Sequence, residues 1–252
     1  MNGEKLAEVA LDIGAAMLTT GGEVTRVEDT IKRIGIAYGC ERVEVFSITS
    51  LIIVTLQTEN GEHITQTRRV PTYTNNLGKL ERLNALSRYM CENKADLDEV
   101  KESCKTIMEE RGRFFQKMFL GYLIVASSFA IHFGGNLFDG IAAGIVSVMI
   151  YFLNRYVQEK SGNKVVYTFI CSFIVGILSI VCTGFGAFSM HADMIMIGNI
   201  MLLIPGISFM NSVKDMVCGD TMTGMLRLLE SVLTAIAIGA GFALSVLLLG
   251  QI

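Results

Sequence analysis

The sequence predicts an α-helical integral membrane protein, with five transmembrane helices behind an N-terminal cytoplasmic α+β domain. Three observations predict it: charge is concentrated at one end, five apolar stretches of hydrocarbon length follow, and cationic residues occupy only alternate loops between them. Residues 1–113 hold 15 of the 21 Lys and Arg and 18 of the 24 Asp and Glu, leaving 12 charges for the other 139 residues. A mean hydropathy of +0.49 spread that unevenly describes two solvents for one chain. The expected division is a cytoplasmic domain over 1–113 and a membrane domain over 114–252.

In the first part Leu6, Val9, Ala10, Ile13 and Met17 recur at helical spacing, and Gly21-Gly22 ends that helix with residues tolerant of positive φ. Val27, Ile31, Ile34 and Tyr38 mark a second helix closed by Gly39. Thr25 and Glu28 have the spacing of a capping box, in which each side chain satisfies a backbone N–H at a helix start. Val43, Val45 and the β-branched run from Leu51 to Leu56 predict strands, and Asn60-Gly61 predicts a hairpin before His63-Ile64-Thr65. Leu77, Leu80, Leu83, Leu86 and Met90 return to helical period, as do Leu97, Val100, Cys104 and Ile107. The order ααβββαα is that of an α+β domain.

The five apolar stretches cover residues 117–134, 137–155, 165–183, 194–212 and 228–250. Each approaches the roughly 20 residues that cross hydrocarbon. Arg111, Arg113 and Lys117 precede the first, Arg155, Lys160 and Lys164 separate the second and third, and Lys214 and Arg227 separate the last two. The alternate loops, 133–136 and 184–193, contain no Lys or Arg. The positive-inside rule then places the N-terminus in the cytoplasm and Ile252 outside. Gly140 with Gly144 and Ser147, and Ala235 with Gly239, have the small-residue spacing that lets helices pack closely.

Several functions are disfavoured. A net charge of −3 with alternating signs offers no field for nucleic acid. Glu4, Lys5 and Glu8 interrupt the start where a signal peptide would need an apolar core. Six scattered cysteines and three separated histidines suggest reduced, packed thiols and no metal centre. No cofactor is expected, because neither a phosphate-binding loop nor a Gly-x-Ser-x-Gly elbow is present.

Candidate chemistry concentrates at the fourth stretch, where Pro205-Gly206 interrupts the apolar run. Asn199 precedes it, and Asn211, Lys214, Asp215, Asp220 and Arg227 follow. Proline opens a helix, and opened backbone at membrane depth is tolerated where protein or a water-filled cavity satisfies it. Transporters bind solutes at such breaks. Lys214, Asp215 and Asp220 equally suit a solvated loop. Arg227 suits either an ion pair with Glu230 or a substrate carboxylate. His132 and His191 fall near the outer boundary with no acidic partner within one turn, so a proton relay and an ordinary interfacial histidine both stay open. Asp139 and Asp193 read as helix-start residues.

These segments resemble the threonine/serine exporter family, and within it the separate YjjP-type subunit with a soluble domain and five spans. One motif is Thr20-Gly21-Gly22-Glu23-Val24-Thr25-Arg26-Val27-Glu28. The other is Pro205-Gly206, Asn211, Asp215, Gly219-Asp220, Gly224 and Arg227. The resemblance marks Gly21, Gly22, Arg26 and Glu28 in the soluble domain. Glu28 has a capping role to account for it, whereas Arg26 is either functional or simply solvated. The resemblance implies a non-enzymatic secondary exporter of threonine- or serine-type amino acids, with succinate-type dicarboxylates as the alternative. Because single-chain members carry a second membrane block, it also implies a second small membrane subunit as partner, with lipid around both; self-association is left open. In the expected site Asn211 supplies hydrogen bonds, Asp215 or Asp220 engages an ammonium or a proton, and Arg227 pairs a carboxylate. The rival expectation is a membrane-anchored sensor whose soluble domain binds a ligand without transport.

Overall fold

The computed structural model describes residues 2–71, 74–110, 115–157, 163–184 and 189–249. The chain divides into two compact units, Met1–Arg111 with Ile207–Leu228, and Gly112–Gly206 with Leu229–Ile252. The expected boundary at 113 falls outside the described residues, as do Arg111, Arg113, Lys160 and Ile252 of the orientation argument.

The first unit opens with α1 (Gly3–Thr19) and α2 (Val24–Ala37). Between them Gly21 adopts φ +101, Gly21 N–H donates to Leu18 O at 3.1 Å and Gly22 N–H to Met17 O at 2.8 Å. This is a Schellman end, which folds the chain back on the last turn of a helix and needs a left-handed residue there. Thr74 N–H and Asn76 N–H donate to the carbonyls of Thr19 and Thr20, so α1 ends with its acceptors assigned. Gly39, at φ +88, closes α2 as expected, its N–H donating to Ile36 O at 3.0 Å.

Strands β1 (Cys40–Ile48), β2 (Leu51–Thr58) and β3 (His63–Arg69) form an antiparallel sheet in the order β1-β2-β3. Gly61, at φ +75, makes the predicted hairpin turn. Ile52, Val54 and Leu56 alternate onto α1 and α2, burying the face that carries the β-branched residues. Helices α3 (Leu77–Asn93) and α4 (Leu97–Glu109) complete the core with Leu80, Leu83, Met90, Val100 and Ile107. Their N-caps are Asn76 and Asp96, each accepting a backbone N–H in the first turn. The predicted order ααβββαα is the one found.

The capping box is not. Helix α2 begins at Val24 with Glu23 as its N-cap, so Thr25 already lies inside the first turn, and no side chain caps it. Glu28 turns instead to β1, where its Oε1 accepts from Ser47 N–H at 2.7 Å and Ser47 Oγ at 3.2 Å. It fastens helix to sheet.

The cysteines are free, with Cys40, Cys104 and Cys171 buried and Cys218 exposed. Burial in apolar surroundings pushes the Cys104 thiol up to about 11. A thiol with that value is thiolate in roughly one molecule in ten thousand at neutral pH. Maleimide at neutral pH is therefore expected to label Cys218 and to spare Cys104 until the chain is denatured, which peptide mass spectrometry will read.

The second unit contains α5 (Phe115–His132), α6 (Leu137–Tyr156), α7 (Lys164–Gly184) and α8 (Ala192–Leu203), and the chain continues through α9 (Gly206–Val217) and α10 (Thr221–Leu249). Helices α6, α7 and α10 are long and apolar enough to cross a membrane, and α8 with α9, bent at their break, make a fourth candidate. Helix α5 corresponds to the first expected span, and its apolar part among the described residues is Met118–His132.

The solvent of this unit is legible in its inside-out pattern. Ile141, Ile145, Phe152, Ile170, Ile236 and Leu247 are exposed, while Ser147, Ser172, Ser179, Asn199 and Ser245 are buried. Each of these buried serines donates to a backbone carbonyl three or four residues earlier, which satisfies the hydroxyl inside its own helix. Apolar surface outside and small polar residues inside is the arrangement hydrocarbon favours.

Small residues set the helix contacts. Gly140 and Gly144 face α5, where a Cβ would meet Ser127 O at 3.3 Å and Ser127 Oγ at 2.6 Å respectively. The second predicted stripe faces outward instead, since Gly239 has nothing within 4 Å and Ala235 is exposed. The close contact of α10 is made one residue row away. There Gly241 lies against α7, and a Cβ would meet Phe169 O at 2.7 Å and Phe173 N at 3.0 Å.

At the other end of α6, Asn136 and Asp139 form a reciprocal capping box, as the helix-start reading of Asp139 requires. Asp139 is fully buried and also accepts from His191 N–H at 2.7 Å, with His191 Nδ1 at 3.0 Å. His191 thus has an acidic partner, 52 residues away instead of within one turn.

Candidate functional site

The site lies in the first unit, where the turn after α1 meets α9 and the start of α10. Two helix ends of the same design build it. Helix α9 stops as α1 does: Gly219 has φ +101, its N–H donates to Met216 O at 3.2 Å, and Asp220 N–H donates to Asp215 O at 2.9 Å. A sharp reversal then brings α10 back along α9. At Gly224 the two approach so closely that a Cβ would meet Ser212 O at 2.7 Å and Met216 N at 2.9 Å.

That reversal carries Arg227 inward. It is only 2% exposed, its Nη1 donates to Asp215 Oδ2 at 2.7 Å, and Asp215 is 1% exposed. Its Nη2 donates to Gly22 O at 2.9 Å, the carbonyl released where α1 ends. A helix C-terminus carries partial negative charge, so a guanidinium there gains from both the carboxylate and the backbone. Asn211 Nδ2 donates to Gly21 O at 3.4 Å, and Asn75 Nδ2 to Ser208 Oγ at the same distance. At the rim Lys214 Nζ lies 2.8 Å from Glu23 Oε1.

Counting charges leaves a remainder. Arg227 faces Asp215 and Lys214 faces Glu23, while Asp220, close enough for its charge to act on Asp215, has no ionic partner among the described residues. Asp220 Oδ2 and Asp215 Oδ1 are both buried and accept no hydrogen bond there. A buried carboxylate oxygen without a donor is costly, and a nearby cation or a proton lowers that cost.

The structure sorts the predicted residues. Gly21, Gly22, Asn211, Asp215 and Arg227 converge through the bonds above, and Asp220 stands beside them. Arg227 has Asp215 for a carboxylate partner. Asp215 belongs to a buried helix face, which removes the solvated-loop reading for it. Arg26 is exposed and has no side-chain partner among the described residues, although its charge reaches Lys214. Glu28 serves the sheet and stands apart. Asn199 belongs to the second unit, fully buried, where its Nδ2 donates to Ile195 O at 2.9 Å and Ala143 O at 3.3 Å. Pro205 ends α8: Ile204 is extended, as a residue before proline should be, and Gly206 N–H returns to Ile204 O at 2.9 Å.

Glu23, Asn75 and Ser208 were not singled out from the sequence. Glu23 was within reach, because it lies in the first motif beside two glycines. Asn75 and Ser208 are polar residues in unremarkable surroundings and carry no local signal.

The apolar outer faces of the second unit and its long apolar helices are those of a membrane protein. The family model described as "Putative threonine/serine exporter" matches residues 8–249, and the chain belongs to that family. It is 27% identical over 233 residues to the "Probable succinate transporter subunit YjjP" of Klebsiella aerogenes, covering 91% of this chain and 89% of that one. It is 24% identical over 245 residues to the protein of the same name from Escherichia coli (strain K12), covering 96% and 94%. No solved structure matches it.

Proposed function

We propose that this chain is one subunit of a secondary exporter in the cytoplasmic membrane, moving threonine- or serine-type amino acids outward by alternating access. The single observation that supports it best is the Arg227 junction with its surplus carboxylate. A substrate ammonium supplies the donor that Asp220 Oδ2 and Asp215 Oδ1 lack. Its carboxylate then faces Arg26, an exposed cation with no partner among the described residues. Arg227 is the hinge of the site, because its hold on Gly22 O ties the soluble domain to α9 and α10. A ligand that binds the parted arrangement more tightly than the closed one drives the change by that difference in affinity. Protonation of Asp215 or Asp220 in place of the ammonium resets the site and links export to the proton gradient.

In this reading the chain crosses the membrane five times, with its N-terminus in the cytoplasm and its C-terminus outside, and α8 with α9 forms the broken span. The names of the two relatives as subunits support a second membrane subunit. They also favour one other substrate class, the four-carbon dicarboxylates. Flux of labelled threonine, serine and succinate in vesicles with and without the second subunit separates these readings. Threonine or serine flux that needs both subunits, and at least a tenfold loss in Asp220→Asn, is expected. Flux of succinate alone would move the substrate to the second class, and flux of none would remove transport.

A further inference from the structure

Away from the Arg227 junction, the first unit contains a cavity of about 370 Å³ between α1, the end of β3 and α4. Its wall is neutral: Val70 and Met108 are apolar, and the Cys104 thiol, raised to about 11 by burial, holds its proton at physiological pH. Its rim is charged, and the charges do not balance. Asp12 is matched by Arg68 at 2.7 Å, and Lys101 by Glu8 at 2.7 Å. Arg69, at the end of β3, and Lys105, on α4, also line the cavity, and neither has an ionic or hydrogen-bond partner through its side chain among the described residues. Two unmatched cations on different elements therefore overlook an apolar hollow large enough for a small metabolite.

We propose that this cavity is a second ligand site, for a small dicarboxylate, with one carboxylate on Arg69, the other on Lys105, and the hydrocarbon body against Val70 and Met108. The arrangement selects by charge and by shape. A guanidinium fork takes a carboxylate bidentately, an ammonium takes the other as a point charge, and the short chain between them displaces water from the wall. A monocarboxylate satisfies only one cation, and a neutral diamide satisfies neither. The site is also well placed to act. Asp12 and Thr19 of its lining belong to α1, and the turn that ends α1 presents Gly22 O to Arg227. Ligand held against α1 thereby shares a helix with the junction, which would let the soluble domain report a cytoplasmic metabolite to it.

The test uses the full chain in detergent with succinate as the probe, and with butyrate and succinamide for comparison. The chain contains no tryptophan, so Met108→Trp places a single reporter in the wall. A saturable change in its emission with succinate is expected, at least tenfold weaker with butyrate, absent with succinamide, and at least tenfold weaker in Arg69→Gln/Lys105→Gln. Calorimetric titration of the chain with Met108 intact checks that the reporter has not filled the cavity. Succinate binding of equal strength in the chain and in its Arg69→Gln/Lys105→Gln variant, or no binding by the unaltered chain, overturns the proposal. Neither result bears on the Arg227 junction, whose failure is read from flux.

Discussion

Arg227→Ala is expected to destabilise the first unit by about 3–5 kcal/mol and to abolish export, because it leaves the buried carboxylate of Asp215 without its counter-charge. The figure belongs to the burial. An ion pair in water contributes about 0–1 kcal/mol, whereas Arg227 and Asp215 are 2% and 1% exposed. Loss of Gly22 O's donor adds to the damage, since that carbonyl has been taken from water too. Removing both charges should cost less than the sum of the single losses. In Asp215→Asn/Arg227→Gln no bare charge remains, so a double-mutant cycle on thermal unfolding in detergent should show a coupling of at least about 1.5 kcal/mol. Additive losses would mean that the two side chains stabilise the unit independently. Transport should not return in the double variant, because the neutral pair no longer holds Gly22 O with a charged donor.

Gly224→Val is expected to have the second largest effect, reaching about 3 kcal/mol or beyond. Most cavities and contacts relax around an added methyl group when the neighbour is the end of a flexible side chain. Here the neighbours at 2.7 Å and 2.9 Å are backbone atoms of Ser212 and Met216 on α9, which can move only with their helix. The added side chain must lever α10 off α9, and Arg227 rides on α10, so the distance to Asp215 opens. Gly239→Val on the same helix has nothing within 4 Å and is expected to unfold within about 0.5 kcal/mol of the unaltered chain. Thermal unfolding of the two variants side by side checks this. Equal melting temperatures would show that α9 and α10 are not packed through Gly224.

Much of the N-terminal ααβββαα part was legible because its signals are local. The glycine that ends α1, the Asn60-Gly61 turn and the leucine repeat of α3 each depend on a few adjacent residues, and each forms as read. Local spacing misleads where tertiary partners compete. Thr25 and Glu28 have the spacing of a capping box, yet two donors on Ser47 draw Glu28 away and the helix starts two residues earlier than the box needs. The same limit explains the small residues. Gly140 with Gly144 and Ala235 with Gly239 have identical spacing, but only the first pair has a neighbour close enough to need it. Which face of a uniformly apolar helix turns inward is decided by the helices around it.

The site was legible as a list and not as an arrangement. The second motif supplied Asn211, Asp215, Asp220 and Arg227 because charges and amides are conspicuous in an apolar chain. Nothing in either motif announces that Arg227 meets Gly22, 205 residues earlier, or that Asn211 meets Gly21, 190 residues earlier. Backbone carbonyls carry no sequence identity, so their role as acceptors emerges only when the helix end is built. Asn199 shows the converse. It is polar and buried as expected, but its Nδ2 is committed to two carbonyls within the helices of the second unit.

The most direct test of the account joins Glu23 to Lys214, whose side chains meet at 2.8 Å across 191 residues of sequence. Glu23→Cys/Lys214→Cys in a chain whose native cysteines are replaced, treated with a short bifunctional thiol reagent, should cross-link within one molecule and lose export, with export retained in each single variant. Failure to cross-link, or undiminished flux once cross-linked, would contradict a junction between the turn after α1 and helix α9 that must part for transport.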